Sequence, residues 1–508
     1  MCAGKSCVGI VLAMCKVARP SRCGAPLAAA LAACAVGLLA CGGGGGAHGR
    51  AAAARPAAGD VLHFHSRPDL APDRVRVAVP ARGRTAPGDV FLAVKRGPGQ
   101  DGPMIVDDAG RVVWFHPVPR GTAATLFRVQ RYRGQPVLTW WQGHTRYGHG
   151  RGTYAILDRR YRLVARVRAG DGLMGDHHVF ELTPRGTAYL SAYVRRRMDL
   201  RAVGGPRDGT IFDSVVQEVD VASGRVVWQW RASDHVPLTE GVTRPKPGVP
   251  HDWFHVNAVS AGPHGTLLIS ARNTHAIYDV ERRGGRVLWR LGGQRSDFRL
   301  GPGARFAFQH DARWVGRDKV SLFDNEATPP RADQSRGLLL ALDFRARTAR
   351  LVRRYLHPDR LLIPAEGNVQ TLADGHVFTS WGVAGHVTEF ARDGRLLLDL
   401  VVPPGADTYQ AFRFPWDGQP LDRPALAAQR TGAGAVTAWA SWNGATGVRA
   451  WQLLAGDSPH TLHPLGEPVP RTDFETVLHG RTSLRFVAVC ALGLSGGPLA
   501  QSQALTGK

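Results

Sequence analysis

Three imidazoles stand at one place in a repeated pattern. His178 opens HVFELTPRGTAYLSAY, His255 opens HVNAVSAGPHGTLLISAR and His310 opens HDARWVGRDKVSLFDN. In each, an apolar residue follows four positions on (Leu182, Val259, Trp314), then a turn, then a second apolar strand. Asn368, in Gly367-Asn-Val-Gln-Thr-Leu372, repeats the same step in a fourth unit. Repeated units stack alike, so equivalent positions reach equivalent places in a fold. Units set around an axis would bring these side chains together, and Arg272, at the far end of the hairpin that starts near His255, adds a fixed positive charge.

Imidazoles can bind a metal, move protons, or attack an electrophile covalently. A guanidinium beside them argues for an anionic group, which Arg grips through paired donors, and against a cation. No cluster of carboxylates or thiolates is evident around them, so neither a metal nor another cofactor is expected. The chemistry this set suits is transfer of a tetrahedral oxyanion to or from histidine. A single histidine at the start of a strand is commonly structural; three at one repeat position, with an arginine, favour a site. The rival readings are a non-enzymatic propeller binding an anionic or polysaccharide ligand, and a hydrolase or lyase using the same histidines.

The elements that must position these residues are strands. Gly110-Arg-Val-Val-Trp114, Gly224-Arg-Val-Val-Trp228, Gly285-Arg-Val-Leu-Trp289 and Gly394-Arg-Leu-Leu-Leu398 mark four strand ends. Weaker versions at Tyr161-Arg-Leu-Val164 and Ala349-Arg-Leu-Val352 make six. Their spacing of roughly 45 to 65 residues suits propeller blades with loop insertions. Between markers, short apolar/polar alternations bounded by Gly, Pro, Asp and Asn read as strands, and helical periodicity is weak. The expected fold is all-β: a six-bladed β-propeller within residues 60–430, followed by a small β-sandwich over 431–508. Trp114, Trp228 and Trp289 are expected to pack the blades, and Cys490 to be a buried free thiol.

The formal charge of +23 favours anionic ligands. The arginines are scattered, with no aromatic-interleaved basic run, which argues against a nucleic-acid partner. Six of the seven cysteines lie at or before Cys41, leaving only Cys490 and no disulfide framework downstream. Residues 1–41 read as a lipoprotein-type signal, with Leu38-Leu39-Ala40-Cys41 as a lipobox and Cys41 as the lipidated residue. The start is Met1 or Met14, and simple cleavage with secretion is the alternative. Residues 42–59, opening with five glycines, read as a flexible linker. The protein is expected outside the cytoplasm, touching the membrane only through a lipid anchor.

Asp252-Trp-Phe-His-Val-Asn257, Leu268-Ile-Ser-Ala-Arg-Asn273, Val287-Leu-Trp-Arg-Leu-Gly-Gly293, Phe306-Ala-Phe-Gln-His-Asp311 and Phe323-Asp-Asn325 occur in that order. This series resembles the arylsulfotransferase family, in its PAPS-independent bacterial branch. The resemblance implies a six-bladed propeller that moves a sulfuryl group from a phenolic sulfate ester to a phenolic acceptor, without a nucleotide donor. It also implies His310 as the nucleophile that becomes sulfohistidine. His255 and Arg272 would hold the sulfuryl oxygens, with His178 as the remaining catalytic histidine, although His177 is adjacent. Asn257 and Asn273 of these motifs, with Asn368, are the candidate substrate-binding amides. Well-known periplasmic members carry a disulfide near the site, which this chain, with Cys490 alone after Cys41, does not offer.

Overall fold

The computed structural model describes residue 57 and residues 59–506 except 328. The expected signal, lipobox Cys41 and nearly all of the linker lie outside these residues. Among the described residues the fold is all-β, with a single four-residue α-helix, Ala232–His235, in the insertion between the second and third sheets. No helix among them is long and apolar enough to cross a membrane.

Six sheets follow one another in chain order, each with four strands laid side by side as the chain passes. Their first strands are Ala123–Tyr132, Phe180–Leu182, Val256–Ala261, His310–Val315, Asn368–Thr371 and Asp407–Phe414. The sixth sheet is completed from the other end of the chain, because Asp407–Phe414 pairs antiparallel with Asp89–Lys95. Arg76–Val79 adds a fifth strand to the fifth sheet, beside Leu396–Val401, and Arg299–Leu300 adds one to the fourth, parallel to Thr348–Tyr355. Apolar clusters lie between successive sheets: Trp141, Tyr154 and Phe180 between the first two, and Trp253, Phe254 and Ile269 among those between the second and third. The last such cluster joins sixth and first, through Phe91, Trp114, Phe127 and Trp140.

The glycine-led markers occupy the turns before fourth strands. Gly110, Gly224, Gly285 and Gly394 all have φ between 72° and 92°, the left-handed region glycine reaches without a Cβ clash. Of the two weaker markers, Tyr161 makes the same turn at φ 62°, while the other, residues 349–352, lies inside its strand and the turn before it is made by Arg347 at φ 51°. Trp114 and Trp289 are buried as expected. Trp228 is only half-buried at the margin of its core cluster, and Trp230, two residues on and on the same face of the strand, is the one fully buried there.

First strands expose one backbone edge, and amide side chains bridge those edges. Asn368 exchanges hydrogen bonds with the backbone of Ala411, at 2.9 Å each way. Gln370 does the same with Arg413, at 3.0 and 2.8 Å. Asn257 donates to Gln309 O at 2.7 Å, and Gln130 to Phe180 O at 3.0 Å.

Two further sheets follow. Ala425–Thr431, Ala435–Ser441 and Glu475–Arg481 form one, and Ala450–Ser458 and Phe486–Leu492 centre the other. They share a core of Ala438, Leu478, Trp451, Leu453 and Val489. Ala425–Thr431 belongs to this pair, so the change of sheet falls ahead of the boundary expected at 430/431. Cys490 is free, as expected, but half-buried rather than buried.

Arg413 anchors the strand that joins the two ends of the chain. Its guanidinium is buried, with Asp108 at 2.6 Å, Glu389 at 2.8 Å and Gly88 O at 2.7 Å. Replacing one partner of such a buried set strands the remaining charges, at about 3–5 kcal/mol. Arg413→Met is therefore expected to lower the unfolding free energy measured by urea titration by that amount; a loss under 1 kcal/mol would show the anchor to be dispensable.

Candidate active site

His310 is the first residue of its strand, and its ring is buried. The Nδ1–H donates to Asn325 Oδ1 at 2.7 Å. The Asn325 amide cannot turn over without loss, since its Nδ2 donates to both Ile363 O and Glu366 O at 3.0 Å. The His310 proton is therefore on Nδ1, and Nε2 carries the lone pair. A long bond of 3.3 Å from Glu366 N–H to Nε2 agrees with that assignment. Burial, and then the charge of Arg272, hold this imidazole well below the usual histidine range, against the Asn325 bond. It stays neutral.

The same short loop holds Arg272. Its Nη2 donates to Pro364 O at 3.0 Å, its Nη1 to Asn273 Oδ1 at 2.8 Å, and its guanidinium lies 4.8 Å from the centre of the Phe308 ring. Asn273 in turn donates to Asp252 O at 2.7 Å. No carboxylate pairs with Arg272 within bonding distance among the described residues, so its charge is available to an anion.

His178 and His255 lie with their rings 4.9 Å apart. Each is backed by a carboxylate through Nδ1: His178 on Asp176 and His255 on Asp252, both at 2.5 Å. That leaves Nε2 of each for a ligand. Burial first, then neighbouring positive charge, holds both imidazoles below the ordinary range, His255 far below. Burial raises Asp176, but His178 and His177 outweigh it and keep the carboxyl well below its usual value. His177 packs 4.0 Å from His178, against Trp141, whereas His178 is the one beside His255.

This arrangement brings together His310, Arg272, His255 and His178, the four residues expected to be catalytic, and corrects two expectations around them. Carboxylates do stand among the histidines. Donor atoms of Asp176, His177 and His178, and of His149, Asp252 and His255, lie within 4.8 Å of one another, close enough to hold an ion. The three amides expected to bind substrate are otherwise engaged. Asn273 positions Arg272, while Asn257 and Asn368 bridge sheets.

The family model for arylsulfotransferase (ASST) matches residues 128–402 and so spans all four of these residues. The chain belongs to the arylsulfotransferase family. Membership supports an arylsulfotransferase-type function acting on small molecules. Comparison with curated proteins finds no match. Among solved structures, a protein of unknown function from Bacteroides caccae is 12% identical, covering 64% of this chain and 98% of its own, at TM-score 0.39. Streptogramin B lyase is 9% identical over 72% of this chain and 92% of its own, at 0.33. A catalytically inactive virginiamycin B lyase from Staphylococcus aureus is 7% identical over 73% and 96%, at 0.34. Likenesses this distant carry no argument about the site.

Several groups of this cluster were not evident as such in the sequence of this arylsulfotransferase-family chain. Asn325 stands in a quoted motif without a role. Asp176 and Asp252 lie two and three residues before their histidines, a spacing that could have exposed them. Tyr409, on the first strand of the sixth sheet, has its ring 5.6 Å from that of His178 and 6.3 Å from that of His310. Its hydroxyl is buried without a partner among the described residues, and burial pushes the phenol well above its usual range, so it remains an O–H donor. His149 lies 5.3 Å from His255, with Nε2 3.5 Å from Asp252 Oδ2.

Burial lowers His149 to about 4, against the partial opposition of Asp252, and lowers His275 to about 4 as well. The unfolded chain therefore binds more protons than the folded one between about pH 4 and 6.5. Stability present above pH 6.5 is lost as the pH falls toward 4, on the order of 3 kcal/mol for each group. Urea midpoints should drop across that window, and His149→Phe should make the drop shallower. A midpoint independent of pH there refutes the assignment.

Proposed function

We propose that the chain is a PAPS-independent aryl-sulfate sulfotransferase, built as a six-bladed β-propeller with a small C-terminal β-sandwich. It moves a sulfuryl group from a phenolic sulfate ester to a phenolic acceptor through a sulfohistidine at His310. The observation that carries this reading is the fixed tautomer of His310, a neutral imidazole whose Nε2 lone pair belongs to a site with an unpaired Arg272.

In the first half-reaction the His310 Nε2 lone pair gives up its long bond from Glu366 N–H and attacks sulfur in line as the S–O bond to the phenol breaks. The bonding pair leaves on the phenolate oxygen, which takes a proton from the Nε2–H of a protonated, carboxylate-backed imidazole, His255 or His178. These two are neutral in the empty site because it is buried; the negative charge of a bound sulfate ester favours their protonation. Arg272 and the Tyr409 hydroxyl offset charge on the non-bridging oxygens. In the second half-reaction the acceptor phenol returns its proton to the same imidazole, its oxygen attacks sulfur, and the N–S pair goes back to Nε2. Ping-pong kinetics follow.

The same reading places the protein outside the cytoplasm, tethered through a lipid on Cys41 after removal of the preceding signal.

Brief mixing with 4-methylumbelliferyl sulfate should add one sulfuryl mass, mapping to His310 and lost on adding phenol. His310→Ala should show neither adduct nor turnover while keeping its fold. An adduct elsewhere, or donor cleavage in its absence, overturns the nucleophile assignment. Asn325→Ala frees the His310 tautomer and should lower kcat about 100-fold with KM little changed. An unchanged kcat would show that the amide has no such role.

A further inference from the structure

We propose that His357, His386 and Asp399 form a binding site for a divalent transition metal of zinc's type, separate from the arylsulfotransferase centre. His357 lies in the segment leading into the fifth sheet, His386 opens that sheet's third strand, and Asp399 sits on its fourth. In the register Thr388 faces Asp399, and His386, two residues before Thr388, shares its face. Three elements thus deliver two imidazole nitrogens and one carboxylate oxygen to a common point.

The distances suit a metal. His386 Nδ1 lies 2.8 Å and His357 Nε2 3.3 Å from the same oxygen, Asp399 Oδ2, and all three donor atoms fall within 4.8 Å of one another. Around a tetrahedral zinc with bonds near 2.0–2.1 Å, neighbouring donors stand about 3.4 Å apart. Shifts of a few tenths of an ångström would seat the ion. The carboxylate is oriented for it from behind. Thr388 Oγ1 donates to Asp399 Oδ1 at 2.8 Å, and Trp381 Nε1 to Thr388 Oγ1 at 2.9 Å, which leaves Oδ2 to the two imidazoles. Such outer contacts are what hold metal ligands in place.

A simple structural pair would need one imidazole, whereas here two converge on one already pinned carboxylate. The His357 side chain is 1% exposed and that of Asp399 2%, whereas that of His386 is 17% exposed and provides access. Without metal, His357 Nδ1 accepts from Asp359 N–H at 3.2 Å, so its proton is on Nε2. Metal binding moves that proton to Nδ1, where the Asp359 carboxylate, 3.8 Å away, can take the bond. The His386 proton moves likewise to its outer nitrogen, and none is released. Three protein donors leave a fourth position for water or a small anion, a pattern suited to Zn2+, Co2+ or Ni2+.

The test uses the chelator-treated full chain without a histidine tag. Co2+ titration followed by visible absorption, and Zn2+ titration by calorimetry, should show a site lost in His386→Ala and in Asp399→Asn but kept in His255→Ala. Zn2+ should raise the Tm of the wild type by several degrees and that of Asp399→Asn not at all, while Asp399→Asn retains aryl-sulfate turnover. Equal stoichiometry in wild type and both variants, or no binding by the wild type at micromolar metal, overturns the proposal. Loss in His255→Ala instead would assign the metal to the three-histidine centre and equally overturn it.

Discussion

A histidine can attack only through a nitrogen that is not protonated, and the rest of the site depends on how that nitrogen is chosen. The choice is made by the Asn325 amide, and the amide is held by the loop Ile363–Glu366. Four of the loop's polar groups are committed: two carbonyls to Asn325, Pro364 O to Arg272, and Glu366 N–H to His310 itself. The loop is secured in its turn by Ser335, whose hydroxyl accepts from Ile363 N at 2.7 Å, and by Lys95, 2.8 Å from the Glu366 carboxylate. The proposed nucleophile, His310, and the guanidinium of Arg272 thus hang from one segment that joins the fourth and fifth sheets. Displacing it would misplace both at once.

The histidines are not equivalent, and their partners say why. A carboxylate on Nδ1 stabilises the imidazolium and suits a group that must gain and lose a proton, as His178 and His255 do in the proposed cycle. A neutral amide orients the ring without favouring its charged form, which suits a nucleophile that must keep its lone pair. Burial acts on all three in the same sense, pressing them toward the neutral state. The different roles proposed for them therefore rest on Asp against Asn as the Nδ1 partner.

The repeat that aligned His178, His255, His310 and Asn368 was legible because each stands at or just before the first strand of successive sheets. The glycine markers were legible because their turns need positive φ. What periodicity could not deliver were partners distant in sequence. Asn325 lies across a hairpin from His310, and Tyr409 arrives from a strand whose sheet is completed by residues near the start of the chain. The amide roles were misread for a related reason. At a repeat position an asparagine can face a ligand or the edge of the next sheet, and only the neighbour's backbone decides. Asn368 meets Ala411 and is used there.

Local backbone geometry completes the argument. His255, Phe308, Asp311 and Glu366 all have φ between 51° and 71°, which non-glycine residues avoid at about 1–3 kcal/mol each. Surrounding bonds must hold them, and at Asp311 they are visible. Its Oδ1 accepts from Arg313 Nε at 2.7 Å and from Gln410 at 3.2 Å, and Arg313 continues to Glu181 at 2.6 Å and thence to Arg128 at 2.8 Å. This buried chain of paired charges joins the first, second, fourth and sixth sheets. The left-handed turn at Asp311 thus gives one residue to the reactive cluster and the next to the charge network. The bonds that hold Asp311 in this conformation lie next to His310, the first residue of its strand, whose ring is committed to Asn325.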